Sequence, residues 1–592
     1  MEQPIVFVQL PVPRQARGEP AGNIPLAGAV LSEALRANPP PGNWRPIPLP
    51  QSIADNLADE GIVQHILAAN PRAAGFTLFS WNLLRSIRVA RLLRQRQPEL
   101  LLIAGGPETV VDNTHVYADG VWDALVSGEG EQPLIAALAD PAGLTGMGQH
   151  RWLPEAEYAQ FPTEAPYASG AMPPSPDSYA LAETARGCPF MCAYCAYAGR
   201  HSAVRRKQLR SVAQDLAAIG ELGHEEVYLL DPTLNSRPDL PELIAVMAAA
   251  KSAGVTRFHA ELRADLLLPR TVASLVHAGL TSAEIGLQTI HRASAHRVGR
   301  SQNLKKFIAG ANALRAAGVH LQIDLILGLP GETLADVTAS MTYLADAGLG
   351  QETLLFPLAV LPGTQLRQLA ATYGIVYDSL PPYHTLRTNT MSQEDIGQAW
   401  AASEEILGLE FDAQQFPVPL TDKPFTTIEL PVGYEDLAVE RTAQMLPRDQ
   451  VPNCHVVVLR YSVAASLRSA SLVQLLQQWQ RVNAFGQFDL ILAPQNVPDD
   501  RDLENALRLI QPHPGHYLDR SQHARSECPA IRSRRIILAA RPDWFNTEPS
   551  RITELAQLAP LVWTGQPCAN AADLAEQLPE ALGYLGIEWA DV

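Results

Sequence analysis

Arg186 to His201 reads RGCPFMCAYCAYAGRH and gathers three of the chain's six cysteines, Cys188, Cys192 and Cys195, in the spacing C-x3-C-x2-C. Six cysteines scattered over 592 residues make no disulfide framework, so thiols packed this closely read as metal ligands. Two chemistries compete for them. A structural zinc site takes four ligands; His201 is a candidate fourth, but no second cysteine pair follows it. An iron–sulfur cube has four metal corners, and three thiolates leave one iron without a protein ligand, open to a substrate or cofactor. That open corner gives the missing fourth cysteine a chemical reason. Tyr194, directly before the third cysteine, is placed to pack an aromatic ring against such a cluster.

The elements that must carry this turn follow from hydrophobic patterning. ALAETAR (Ala180 to Arg186) reads as a strand that ends at the cysteines. Further strands are expected at Glu226 to Asp231, Arg257 to Leu262, Ser282 to Gln288, His320 to Gly328 and Thr353 to Val360, with helical stretches between them. Six such repeats predict a partial (β/α)6 TIM-like barrel over residues 178–405, with its site at the carboxyl ends of the strands. Ahead of it, residues 1–145 alternate strands (Ile5 to Leu10, Ala73 to Phe79, Leu100 to Gly106, Ala124 to Glu131) with helices (Pro25 to Asn38, Asn82 to Gln95). This predicts a Rossmann-like doubly wound parallel sheet, whose ligands bind beyond the strand ends where SWN, GGP and GEGE lie. Residues 146–177 read as a linker, from the proline-rich FPTEAPYASGAMPPSP. Residues 406–592 read as a further α/β segment, with strands near Cys454 to Ser462, Phe488 to Pro494 and Arg534 to Ala540.

A net charge of -17 argues against a general nucleic-acid binder, which needs a basic face to neutralise phosphates. The local run Arg205, Arg206, Lys207, Arg210 is either a solvated loop leading into a helix or an anion site. No window approaches the ~20 apolar residues of a membrane span. MEQPIVFVQLPVPRQ shows no basic segment followed by an apolar one, so the expectation is a cytoplasmic protein.

C-x3-C-x-aromatic-C at the end of a first barrel strand resembles the radical S-adenosylmethionine (SAM) superfamily. Several motifs in order extend the likeness over roughly residues 178 to 400: AEIGLQT with Glu284 and Gln288, IDLILGLPGET with Leu327 and Gly328, and VLPGTQL. LLDPTLN stands at the second-strand position, with Asp231 and Asn235 as its polar groups but without the common G-G-E form. The resemblance implies a [4Fe-4S] cluster on the three cysteines and SAM bound at the open iron. It also implies a reductant such as a flavodoxin or ferredoxin, and SAM contacts at Tyr194, Asp231, Asn235, Glu284, Gln288, Leu327 and Gly328. Each motif has a plainer reading: LGLPGET is also an ordinary strand-ending turn, and Glu284 a carboxylate with a structural partner.

The N-terminal segment is similar to the cobalamin-binding domain of B12-dependent radical SAM enzymes. The matching pieces are NIPLAGAVLSEAL, FSWN with Ser80, AGGPE with Gly105 and Gly106, and SGEGE with Gly128 and Gly130. Glycines would let the backbone approach a corrin edge, and strand-end amides would bond its side chains. No D-x-H-x-x-G motif is present and His65 lies in an apolar helical pattern, so cobalt without a histidine lower ligand is expected. The rival is a doubly wound domain that binds no B12. Together these imply a methyltransferase that spends one SAM on cobalamin and cleaves a second, moving a methyl group to an unactivated carbon of a small molecule or peptide. A cyclase or rearrangement enzyme and a non-catalytic B12 or redox sensor are the alternatives. No acid or base is assigned. The C-terminal segment matches no family; it is expected to cover the barrel mouth, with Cys454, Cys528 and Cys568 as buried small hydrophobes and His513 and His516 in a loop.

Overall fold

The computed structural model describes residues 2–13, 24–144, 150–153, 165–172, 179–197, 204–411, 425–430, 453–461, 467–468, 470–482, 484–509, 517–521, 533–541, 543–558, 561–563 and 582–584. His201, His513, His516, Cys528, Cys568 and the side chain of Cys454 lie outside this description. The chain divides into two compact units, one of Met1–Leu10, Gly22–Ser52 and Ala69–Phe411, the other including Ile53–Ala68 and Asp412–Val592.

The first sheet consists of β1 (Gln3–Val8), β2 (Trp44–Pro48), β3 (Ala73–Thr77), β4 (Leu101–Gly105), β5 (Ala124–Val126) and β6 (Arg151–Leu153). Its order is β2-β1-β3-β4-β5-β6 and every pairing is parallel. The order reverses between β1 and β3, the doubly wound arrangement expected. β1, β3 and β4 are buried almost throughout, since helices cover both faces, and this makes them continuous apolar runs. β2 carries two prolines in WRPIP, which hid it from patterning; as an edge strand it can spare the N–H groups. β6 falls inside the stretch read as linker. The described part of that stretch is packed: Tyr167, Ala171 and Met172 join the barrel core, and Asp215 accepts from the Tyr167 and Ala168 amides.

The barrel begins with β7 (Tyr179–Ala182). Ala185–Arg186 (β8) then pairs antiparallel with Arg205–Arg206 (β9), so the expected first strand is two pieces. β10 (Glu226–Leu229), β11 (Arg257–Leu262), β12 (Leu280–Gln288), β13 (His320–Leu327) and β14 (Thr353–Pro357) follow. The sheet runs β7-β10-β11-β12-β13-β14, parallel throughout and in chain order, as the repeats predicted. Along β11 to β13 burial alternates. Phe258, Ala260, Leu262, Ala283, Ile285, Leu287, Leu321, Ile323, Leu325 and Leu327 pack into the helix-facing core. His259, Glu261, Ser282, Glu284, Gly286, Gln322, Asp324 and Ile326 therefore line the concave face. The turn after β13 uses Gly328 and Gly331, both at positive φ, before Thr333 caps the next helix in a capping box with Asp336. A two-stranded ribbon, β15 (Val376–Tyr377) with β16 (Thr385–Arg387), closes the first unit's strand list.

The second unit holds β17 (Phe425–Leu430), β18 (Cys454–Tyr461), β19 (Gln487–Pro494), β20 (Arg534–Ala540), β21 (Leu561–Trp563) and β22 (Leu582–Tyr584), a six-stranded parallel sheet in chain order. Its described core includes Val457, Leu459, Leu490, Leu492, Leu538, Trp544 and Phe545.

Candidate functional site

Gly187, at φ 91°, turns the chain out of β8 so that Cys188 begins the thiol loop in a conformation that side chains resist. Cys188 and Cys192 are buried and Cys195 is partly exposed. Cys188 Sγ lies 3.7 Å from Thr233 Oγ1, and Cys192 Sγ accepts from Arg300 Nη1 at 3.9 Å. The loop is fixed by backbone bonds: Ala193 N donates to Val298 O at 2.8 Å, and Leu366 N donates to Ala193 O at 2.8 Å. Arg263 covers the Phe190 ring at 4.5 Å. Among the described residues, no three Cys, His, Asp or Glu side chains converge as a single metal ion would require. A cube asks for something else, since each thiolate takes its own iron and the sulfurs spread around an inorganic core. Three soft donors on one tight loop fit that group.

Tyr194 packs beside Ala193, Val298, Leu329 and Leu358, and its hydroxyl accepts from Arg300 Nη1 at 3.4 Å. Burial raises its ionisation above the ordinary phenol range. Asp231 was expected to offer a polar group to the cofactor, but its oxygens are already engaged. It accepts from the Thr184 and Ala185 amides at 2.7 and 3.0 Å, from the Thr184 hydroxyl, and from Arg237 at 3.4 Å. Asn235 is likewise engaged in a reciprocal pair with the Arg263 backbone, 2.9 Å each way. Both side chains tie strand ends together beneath the cysteine loop.

Glu284 lies on the concave face between Glu261 and Gln322 in register. Burial, with Glu284 next to it, pushes the Glu261 carboxyl up to about 7. Burial and a hydrogen bond with Glu284 push Asp324 up to about 9. Gln288 ends β12 at φ 69°, and its buried Oε1 has no partner among the described residues. A left-handed non-glycine residue costs strain, and a buried Oε1 without a protein partner leaves an acceptor available there. Leu327 requires a correction: the period-two alternation sends its side chain into the helix-facing core, and Ile326 is the apolar side chain on the concave face, packed against the same small cluster as Tyr194. Gly328 stands at the turn that follows, at φ 94°.

On the first sheet, Ser80, Gly105, Gly106, Gly128 and Gly130 all fall at the carboxyl ends of the adjacent strands β3, β4 and β5. Gly106 has a structural reason of its own: at φ +105° a Cβ there would stand 2.7 Å from the Leu78 carbonyl oxygen. Asn82 pins the FSWN turn to the Leu10 and Thr77 carbonyls at 3.0 and 3.1 Å. Trp81 stacks on Phe79 at 4.4 Å, and its buried Nε1 lacks an acceptor among the described residues, which suits a ligand that brings one. His65 is exposed on a helix of the second unit.

Patterning missed what joins the two sheets. Arg186, two residues before Cys188, donates to Glu129 at 2.8 Å, to Glu131 at 2.7 Å and to Glu183 at 2.9 Å. Arg205 also binds Glu129, so both glutamates of SGEGE serve this seam. Burial alone would raise the Glu129 carboxyl, yet Arg205 and Arg186 together hold it below its ordinary range. The basic run divides: Arg205 and Lys207 are buried, paired with Glu129 and, at 2.7 Å, with Asp215, whereas Arg206, which meets Asp239 at 3.3 Å, and Arg210 are exposed. A second seam joins the segment after β4 to the loop after β14 and to the turn between β15 and β16. Tyr383 donates to Glu108 at 2.6 Å, and Gly363 N to Asp112 at 2.9 Å.

Fold and loop together define a partial parallel barrel with a thiol-rich turn at its strand ends. Residues 183–344, within this barrel, match the family described as Radical SAM superfamily. The chain is 25% identical over 350 residues to 2-(S-pantetheinyl)-carbapenam-3-carboxylate methyltransferase of Streptantibioticus cattleyicolor, with 52% of this chain and 50% of the relative aligned. It is 24% identical over 340 residues to the cobalamin-dependent radical SAM methyltransferase TokK of Streptomyces tokunonensis, with 52% and 49% aligned. It therefore spans about half the length of these relatives. The fold is like that of the radical SAM methyltransferase TsrM from Kitasatospora setae, with a TM-score of 0.53 and 14% identity over 68% of this chain and 89% of that one. No helix among the described residues is long and apolar enough to cross a membrane.

Proposed function

We propose that this chain is a cobalamin-dependent radical SAM methyltransferase acting on an unactivated carbon of a small molecule or peptide. Cys188, Cys192 and Cys195 would hold the [4Fe-4S] cluster, with SAM at its open iron and near Gln288, Gly328 and Ile326. Residues 1–145 would hold cobalamin along Ser80, Trp81, Gly105, Gly106, Gly128 and Gly130, with no histidine below the cobalt. Residues 406–592 would form a separate domain that helps choose the substrate. When bound, the cluster and SAM supply a radical and cobalamin carries a methyl group; the chain's part is to hold and orient them.

One observation carries the reading. The segments that follow β5 and β4 are bonded to the end of β8, to the loop after β14 and to the turn before β16: Glu129 and Glu131 to Arg186, Asp112 to Gly363, and Glu108 to Tyr383. Ligands bind parallel α/β sheets at just these edges. Two such edges clasped together suit two cofactors that must exchange chemistry. The protein would work in the cytoplasm with a flavodoxin or ferredoxin as reductant.

Anoxic reconstitution followed by iron, sulfide and corrin quantitation tests the cofactors, with four irons and one corrin per chain expected. With a candidate substrate in hand, SAM bearing a deuterated methyl group should label the product. An unlabelled rearranged product would move the reading to a cyclase; no SAM cleavage at all would move it to a sensor.

A further inference from the structure

Arg300 is held at all three of its guanidinium nitrogens. Nε donates to Gln302 Oε1 at 3.2 Å, Nη2 to the Gly286 carbonyl, and Nη1 to Tyr194 Oη at 3.4 Å and Cys192 Sγ at 3.9 Å. Gln302 is itself clamped, donating to the Leu287 and Thr289 carbonyls at 2.7 and 2.8 Å. Gly286 leaves room first for the Gln288 side chain, which a Cβ there would strike, and Arg300 Nη2 lies 3.3 Å from the same point. A fixed cation with one N–H directed at a thiol of the cysteine loop is a costly arrangement unless the thiolate form gains from it.

We infer that Arg300 sets the reduction potential of the cluster ligated by Cys192, with Gln302 as the residue that positions it. The inference rests on the reading of Cys188, Cys192 and Cys195 as cluster ligands. Reduction adds one electron, drawn from a low-potential donor, to the oxidised cluster; no bond breaks and no proton moves. The added negative charge is stabilised by the adjacent guanidinium, and an N–H directed at a ligating sulfur drains charge from it. Arg300 therefore makes the cluster easier to reduce than the same loop would without it.

The test uses the full chain, reconstituted without oxygen and titrated with dithionite while the reduced cluster is followed by electron paramagnetic resonance. Arg300→Met should retain full iron and sulfide, while its reduced-to-oxidised ratio at fixed potential falls about tenfold, equivalent to about 59 mV for one electron. Arg300→Lys, which keeps the charge without the fork, should recover part of that loss. A full cluster with unchanged potential in Arg300→Met overturns the inference, as does a Lys variant displaced as far as the Met one. Should Arg300→Met fail to hold a cluster, Gln302→Leu takes its place: a smaller fall in the same direction supports the assignment and an unchanged potential overturns it. A wild-type chain that takes up no cluster sinks the ligand reading instead, a result separable from the first by its iron content.

Discussion

Arg186 binds Glu129 and Glu131 of the first sheet at 2.8 and 2.7 Å, and it does so two residues before Cys188. All three side chains are at least 86% buried, with exposures of 14%, 9% and 7%, so the cluster of charges stands largely out of water. Such groups add little net stability when complete and cost much when one partner is removed. Arg186→Met should lower the unfolding free energy of the first unit by about 3 kcal/mol, read from urea midpoints. Adding Glu131→Gln to that variant should restore part of the loss, because that stranded charge is removed, whereas Glu129 keeps its pair with Arg205. Full additivity of the two changes would refute a shared network.

Asp231 offers a second handle on the same loop. Removing its carboxylate leaves the buried Thr184 and Ala185 amides without their acceptor, while Arg237 keeps its pair with Asp239. Each unmet buried donor costs about 1–3 kcal/mol. Asp231→Ala should therefore reduce both stability and the iron retained after gel filtration, while SAM affinity of the cluster-loaded fraction stays unchanged. A selective loss of SAM affinity would return Asp231 to the cofactor role that its position first suggested.

Much of this was legible in advance. The six barrel strands were readable because each must bury one face against helices, and that constraint writes a period of two into β11, β12 and β13. The same period does not say which face is which: the resemblance implied a SAM contact at Leu327, and the structure places Ile326 on the concave side instead. The break between β7 and β8 was unreadable, since Asp231 draws the Thr184 and Ala185 amides out of the sheet from 46 or 47 positions away. The partners of Arg186 lie 55 and 57 residues upstream, and local sequence holds no trace of such pairings. Gln288 was marked by motif; its left-handed backbone and empty Oε1 were not.

Glu332 gives a prediction in pH. Burial lifts its carboxyl from the ordinary 4.5 up to about 8, and Oε2 has no partner among the described residues. The folded chain therefore holds a proton that the unfolded chain releases near pH 4.5. Stability from this group is complete below that value and declines as the pH rises to about 8. Glu332→Gln should flatten the stability profile across this window and exceed wild type at pH 8. Denaturant midpoints at half-unit pH intervals measure it, and a Gln variant with an undiminished slope would place the dependence elsewhere, Asp324 being the next candidate.

Gly106 closes the turn after β4 against Leu78, whose backbone meets it from both sides: Leu78 N donates to Gly105 O at 2.7 Å, and Glu108 N donates to Leu78 O at 3.2 Å. At φ +105° an alanine pays the left-handed penalty of about 1–2 kcal/mol and forces its Cβ to within 2.7 Å of a backbone oxygen that has no slack. Gly106→Ala should therefore shift the Glu108 segment, and with it the Tyr383 contact, lowering stability by at least that amount. If residues 1–145 hold cobalamin along this edge, corrin affinity should fall with it, while the iron and sulfide content, governed by a loop on the other sheet, stays at the wild-type value. Loss of both cofactors in parallel would mean that the variant unfolds the unit as a whole, and circular dichroism at the same temperature separates that outcome from a local one.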